Sequence, residues 1–214
     1  MDSGRKPEKI LITGASGLLG RSLVEKFSNE GYFVFAHYYK SERKPGENRK
    51  WIYGDFSSIT SIREFLSDNS SYLNECKYLI NNYGPIIYKD SKDLSSDDLM
   101  DVFFSNVITV KEITDFLLKN TKLKYVMNIG FETLGEAKIY KKILSYAMGK
   151  NSLQLLTLSY GNLYPEIRFN MYSPVSLAGA EIVAKNNKLI EPEAAAAKIF
   201  DIMAGEKVPV ERRF

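Results

Sequence analysis

A chain of 214 residues, 44% hydrophobic and 26% charged, fits one ordinary globular domain and needs no metal or disulfide staple to fold. Its net charge of +3 comes from basic residues interleaved with acidic ones, so nucleic acid is not an expected partner. The lone Cys76 excludes an intrachain disulfide and suits a cytoplasmic protein, the lone His37 excludes a multi-histidine metal site, and no apolar run or signal-peptide pattern points to a membrane.

Residues 1–8 are polar and read as a flexible leader to one domain spanning 9–214. Lys9 to Thr13 is a short apolar run that ends at a glycine, the pattern of a parallel strand buried on both faces. From Leu18 to Asn29 the apolar residues Leu19, Leu23, Val24 and Phe27 recur at helical spacing, and Gly31 stops the helix. Tyr32 to Tyr38 is a second strand, followed by a locally basic loop from Lys40 to Lys50. Trp51 to Gly54 forms a third strand, Ile59 to Leu66 a helix, and Tyr78 to Asn81 a fourth strand. One long helix is expected over Asp97 to Lys119, then a fifth strand at Tyr125 to Ile129 and a helix from Lys142 to Leu158. A sixth strand at Ile167 to Tyr172 and a helix at Pro192 to Ala204 close the chain. Strands alternating with helices in this way predict a single-domain α/β fold, a three-layer doubly wound parallel sheet of the Rossmann kind.

Between the first strand and the first helix lies TGASGLLG, Thr13 to Gly20. Gly14 permits a tight turn, Gly17 lets backbone approach a pyrophosphate, and Gly20 lets helix and strand pack closely. Ser16 and Leu18 stand on the same bend, where the helix N-terminus offers N–H groups to an anion. Where the second strand ends, an NAD-binding chain usually carries an acid for the ribose hydroxyl; here the run is Tyr38, Tyr39, Lys40, Ser41, with no acid before Glu42. Lys40 attracts a ribose phosphate and Ser41 can donate to it, so the sequence favours NADP(H) over NAD(H).

With that turn come Asp55 in GDFS, the NNYG of Asn81 to Gly84, Asn106 in SNVI, YAMGK at Tyr146 to Lys150, and Ser173-Pro174 after the sixth strand. In this order and spacing the chain resembles the short-chain dehydrogenase/reductase family over about residues 9–175. The run LGRSLVEKFSNEGYFVFAHYYKS is most similar to the NADPH-using pteridine-reductase branch, although Leu18 and Ile86 replace an arginine and a pterin-stacking phenylalanine of that branch. The TGxxGxxG spacing itself is commoner among larger sugar-nucleotide-modifying relatives.

The resemblance implies that Asp55, with Phe56 beside it, contacts the adenine, that Asn82, Tyr83, Gly84 and Ile129 line the cofactor, and that Pro174 flanks the nicotinamide. It also implies a homodimer or homotetramer formed through the helices at Asp97–Lys119 and Lys142–Leu158, and a small-molecule substrate. In a carbonyl reduction hydride goes to carbon, and a nearby acid must protonate the oxygen. Tyr146 is the expected acid/base; Lys150, one helical turn on, favours the phenolate and bonds the ribose, and Asn106 holds a water in the proton path. The family's oxyanion-stabilising serine is replaced by Phe131, and Glu132 or Thr133 is the nearest substitute. Residues SLAGAEIVAKNN after Pro174 would supply a short substrate lid. Two readings stand: an NADP(H)-dependent reductase of a small carbonyl or imine, and a catalytically weak relative that binds or senses the dinucleotide.

Overall fold

The computed structural model describes residues 6–41, 45–131, 141–174, 177 and 189–205. Six parallel strands form one sheet: β1 (Lys9–Ile12), β2 (Phe33–Tyr38), β3 (Arg49–Tyr53), β4 (Cys76–Asn81), β5 (Tyr125–Ile129) and β6 (Arg168–Tyr172). Their order across the sheet is β3-β2-β1-β4-β5-β6, the doubly wound arrangement that the alternating pattern predicts. The chain reverses its direction of progress between β1 and β4, and the crevice at the carboxyl ends of those two strands is where such sheets bind ligands.

Side chains alternate across each strand, so one short run feeds two cores. Ile10 and Ile12 of β1 face the layer of α1 (Leu18–Asn29), which contributes Leu23 and Phe27. Leu11, between them, faces the opposite layer with Ile62 of α2 (Ile59–Asp68). All three β1 residues are fully buried, which explains why the strand reads as an unbroken apolar run. A four-residue helix, α3 (Ser70–Leu73), follows α2 and was not evident in the sequence pattern. At the far end of the chain, α7 (Pro192–Ala204) packs Ile199 and Met203 beside α1, with Pro192 pre-set for the first helical turn.

The long helix expected over Asp97–Lys119 is interrupted. It is α4 (Ser96–Phe103), a π-helical turn at Phe104–Ile108, and α5 (Thr109–Asn120). Within that turn the Asn106 side-chain amide donates to Val102 O at 3.0 Å, and the Thr109 hydroxyl donates to Phe104 O at 3.1 Å. The Thr109 N–H also donates to Phe104 O, five residues back, so the turn is wider than a regular helix, and the two side chains add bonds to its carbonyls. The next helix, α6 (Leu144–Leu163), runs five residues beyond the expected Leu158, because Tyr160 stacks on Phe169 of β6 with ring centroids 5.5 Å apart. Strand β3 also begins earlier than expected, its Arg49 paired with Val34 of β2.

Candidate functional site

Gly14 turns the chain out of β1 with φ +61°, and a methyl group there would stand 2.9 Å from Tyr83 Cα. A methyl on Gly20 would lie 2.3 Å from Gly14 O, so this residue does let the helix pack against the bend. Gly17 caps α1 without any side-chain hydrogen bond, and the first turn of the helix carries no acidic residue. The amide end of α1 therefore opens on the crevice with its partial positive charge uncontested. Ser16 and Leu18 are half-buried on the same bend.

The bend is fixed from the neighbouring strand. Thr13 Oγ1 accepts hydrogen bonds from the backbone N–H groups of Asn82 and Tyr83, both at 3.1 Å. Asn82 Nδ2 donates to Gly14 O at 2.9 Å. Thr13 was not singled out from the sequence, and its place as the only hydroxyl at the strand end was the available signal. A buried polar chain continues behind it: Asn81 Nδ2 donates to Asn128 Oδ1, and Asn128 Nδ2 donates to Thr157 Oγ1, each at 2.8 Å. These bonds join β4, β5 and α6 beneath the crevice.

At the ends of β2 and β3, Tyr38 closes its strand with its ring 5.9 Å from Tyr53 and 6.4 Å from Trp51. Lys40 and Ser41 are exposed just beyond it, and Lys40 Nζ lies 5.7 Å from the Tyr39 ring centroid. Asp55 Oδ1 accepts the Ser57 N–H at 2.9 Å and leaves its carboxylate half-buried at the rim. Phe56, grouped with Asp55 on sequence, turns its ring into the core and stacks on His37 at 3.8 Å. Its side chain is thus packing against the strands, and only its backbone faces the rim region of Asp55.

The remaining candidates converge from β4, the π-helical turn and α6. A methyl group on Gly84 would stand 2.4 Å from Asn106 Oδ1 and 2.9 Å from Lys150 Nζ, so these two polar groups share one small space. Gly149 makes that convergence possible: a methyl there would touch Val102 Cγ1 at 3.0 Å, so α6 lies close against the end of α4. Lys150 Nζ donates to Ile129 O at 2.7 Å and lies 5.4 Å from the Tyr146 ring centroid. No carboxylate among the described residues pairs with Lys150. Burial alone pulls its pKa down to about 7 and pushes the Tyr146 phenol up. Asn106 Oδ1 is buried with no hydrogen-bond partner among the described residues. Pro174 is buried just past β6.

Phe131 follows β5 where a serine was expected, and its ring meets Tyr146 edge-on with centroids 5.5 Å apart. Glu132 and Thr133 lie outside the described residues, as does the expected lid apart from Leu177, which bridges to Ile190.

The glycine bend and uncapped helix end fit a dinucleotide's pyrophosphate, and a buried ammonium beside an orphaned amide oxygen fits a polar ligand reaching the floor of the crevice. A short-chain dehydrogenase of Leptospira borgpetersenii with bound NAD+ shares the fold at a TM-score of 0.79 and 19% identity, over 92% of this chain and 85% of that one. The angucycline C-6 ketoreductase LanV with bound NADP matches at 0.78 and 17%, over 93% and 90%. A short-chain dehydrogenase family protein of Francisella tularensis matches at 0.79 and 17%, over 94% and 92%. Residues 10–210 match the NAD dependent epimerase/dehydratase family. The chain belongs to that family, and with it to the short-chain dehydrogenase/reductases that its motifs resemble.

Proposed function

We propose that this protein is an NADP(H)-dependent reductase of a small carbonyl or imine compound, with Tyr146 as its acid/base. The observation that carries this reading is the meeting of Lys150 Nζ and Asn106 Oδ1 over Gly84: two buried polar groups without a charge partner among the described residues, whose burial is costly unless a ligand uses them. When bound, the dinucleotide supplies the hydride. Gly14, Gly17, Gly20 and the amide end of α1 hold its phosphates, with Asp55 and the backbone of Asn82, Tyr83 and Gly84 along its length. Lys150 orients the ribose and, when protonated, lowers the pKa of the Tyr146 phenol. The Tyr146 hydroxyl gives its proton to the substrate oxygen or nitrogen, and Asn106 holds the water that restores it. Exposed Lys40 and Ser41, with no acid among Tyr38 to Ser41, support a ribose phosphate and hence NADP(H). The structural neighbours carry NAD+ in one case and NADP in another, which leaves that preference resting on these residues.

The test is NADPH oxidation against a panel of ketones, quinones and dihydropterins, with the Tyr146→Phe variant alongside. Loss of a general acid lowers turnover by about 10²–10⁴-fold, with dinucleotide affinity retained. Equal activity in the variant would refute the mechanism. Lys40→Glu should weaken NADPH binding far more than NADH binding; equal effects remove the case for NADP.

A second reading is favoured by one contact, the Phe131 ring against Tyr146. There the phenol is covered by an apolar ring and the protein binds or senses the dinucleotide with little catalysis. Tight binding without turnover on any substrate class supports that reading. Cys76, free and buried with its thiol pushed up to about 12, suits a reducing cytoplasm. For assembly, α4 and α6 present Met100, Phe103, Met148, Leu155 and Leu163, between 44% and 70% exposed, as an apolar face for a second copy. Sedimentation should find a dimer or tetramer, and Leu155→Glu should dissociate it.

A further inference from the structure

The single histidine is bonded through both ring nitrogens and packed against three aromatic rings. His37 is 1% exposed, stacked on Phe56 with the rings 6° from parallel, and edged by Phe65 and Tyr83. Its two ring nitrogens reach the turns that follow two different strands, β1 and β3. Gly14 N–H donates to Nδ1 at 3.0 Å, and since a backbone N–H can only donate, Nδ1 is unprotonated. The ring proton therefore sits on Nε2, which donates to Gly54 O at 3.1 Å. The backbone completes the joint: Ala15 N–H donates to His37 O and Gly54 N–H donates to Tyr38 O, both at 2.9 Å. Gly54 is a glycine for steric reasons, because a methyl there would stand 2.6 Å from Phe65 Cδ2 and 2.9 Å from His37 Cδ2.

The imidazole thus spans from the positive-φ glycine after β1 to the residue that precedes Asp55. Those are the two ends of the rim that the proposed dinucleotide would touch, its pyrophosphate and its adenosine. We infer that His37, as a neutral Nε2–H imidazole, is a positioning residue that locks the glycine bend and the Asp55 loop into one arrangement before the dinucleotide arrives. The inference rests on the dinucleotide-binding reading for its consequence, though not for its geometry. Desolvation holds the ring neutral, with its pKa pulled down to about 4, so throughout the neutral range it carries one proton, which the two hydrogen bonds place on Nε2. Preorganisation of this kind shows as affinity, since a loose bend must be ordered when the ligand binds.

The experiment reads the free protein first. Because the chain has one histidine, its ring nitrogens give one pair of ¹⁵N resonances, and Nδ1 should fall in the unprotonated range with Nε2 protonated. His37→Phe keeps the stack on Phe56 and removes both polar bonds; His37→Asn restores an acceptor where Nδ1 lies. In His37→Phe the Gly14 amide should exchange faster, and affinities for NADPH and NADH by protein fluorescence should fall by about tenfold, the worth of one buried hydrogen bond. His37→Asn should recover part of both. Should His37→Phe fail to fold, His37→Gln, which keeps a donor toward Gly54 and lacks the acceptor toward Gly14, gives the same comparison with His37→Asn. An Nδ1–H tautomer, or a folded variant with unchanged Gly14 exchange and unchanged affinity, overturns the inference and leaves His37 a core residue. If the unaltered protein binds neither dinucleotide, the proposed function fails, and the tautomer and Gly14 exchange still decide whether His37 holds the bend.

Discussion

On the β1–β2–β3 side of the crevice, the groups that would meet a dinucleotide are tied down. Gly14 alone is held by His37 through its N–H and by Asn82 through its carbonyl, at 3.0 and 2.9 Å. In the small space over Gly84, between β4, the π-helical turn and α6, two polar groups are as deeply buried and less paired: Asn106 Oδ1 has no partner among the described residues, and Lys150 donates to the Ile129 carbonyl. Buried polar atoms are normally satisfied, and the exceptions mark places where something else is meant to bind or react. The first half is built to be rigid when empty. The second is built to be completed. That division matches the proposed roles, recognition of a constant ligand on one side and proton chemistry on the other.

The largest way to sharpen the comparison is Phe131→Ser. A missing oxyanion donor costs about 10²–10³ in turnover, roughly 3–4 kcal/mol, and the variant returns a hydroxyl beside Tyr146 while removing the ring that covers it. NADPH oxidation should rise by that factor with dinucleotide affinity unchanged. No rise means that Phe131 is not the gap in the catalytic set.

Next comes Lys150→Met, which should make the free protein more stable and inactive. The amine's pKa falls from 10.5 to about 7 on burial, so at pH 7 the folded state bears a penalty on the order of 4–5 kcal/mol that a neutral side chain lacks. Losing the bond to Ile129 O offsets part of it, which leaves a gain of about 3 kcal/mol in chemical denaturation. Above pH 7 the lysine in the folded protein is neutral, and the difference from Met should shrink as pH rises toward 10.5. A variant less stable than the parent at pH 7 would show that the buried amine is well accommodated, and the contrast between the two halves would weaken.

Much of the rigid half was legible in the sequence. Helices α1 and α7 have the bounds that helical spacing and stop signals indicate, and the glycine spacing of Thr13 to Gly20 marks the bend because each glycine answers a separate steric demand. What sequence pattern conveys poorly is a bond made across the fold. His37 alternates inward on β2 like any core residue, and its partner Gly14 lies 23 positions away. The π-helical turn was hidden for a similar reason: apolar residues continue through Phe104 to Ile108, and what separates it from regular helix is bonding, the Asn106 amide onto Val102 O and Thr109 onto Phe104 O. Tyr146 and Lys150 were visible as a spaced pair, whereas the absence of a charge partner for Lys150 among the described residues is a fact of packing.

The smallest expected effect concerns the rigid half and acid. An unfolded histidine takes up a proton near pH 6.5, while His37 in the folded chain resists until about 4, because its ring is desolvated and a proton on Nδ1 would face the Gly14 N–H. Below 6.5 the unfolded state therefore binds more protons, and stability present in full above that pH declines as pH falls, with the loss complete near 4. Between pH 6.5 and 5 the decline should be about 2 kcal/mol, at about 1.4 kcal/mol per unit. Tyr83 is the sole titratable side chain among the rings around His37, and burial raises its pKa, so it stays neutral across this window. The paired carboxylates, such as Glu8 with Lys77 and Asp98 with Lys89, have lowered pKa values and titrate at more acidic pH. Buried Lys150, at about 7 in the folded chain, takes up its proton mainly above pH 6.5, so urea denaturation at pH 6.5, 5.75 and 5, compared between the parent and His37→Asn, reads the histidine, and the variant should flatten the profile there. A parent protein whose stability is level from 6.5 to 5 would mean that the brace yields to protonation at little cost, and the rigid half would then be no more fixed than the half that waits for its ligand.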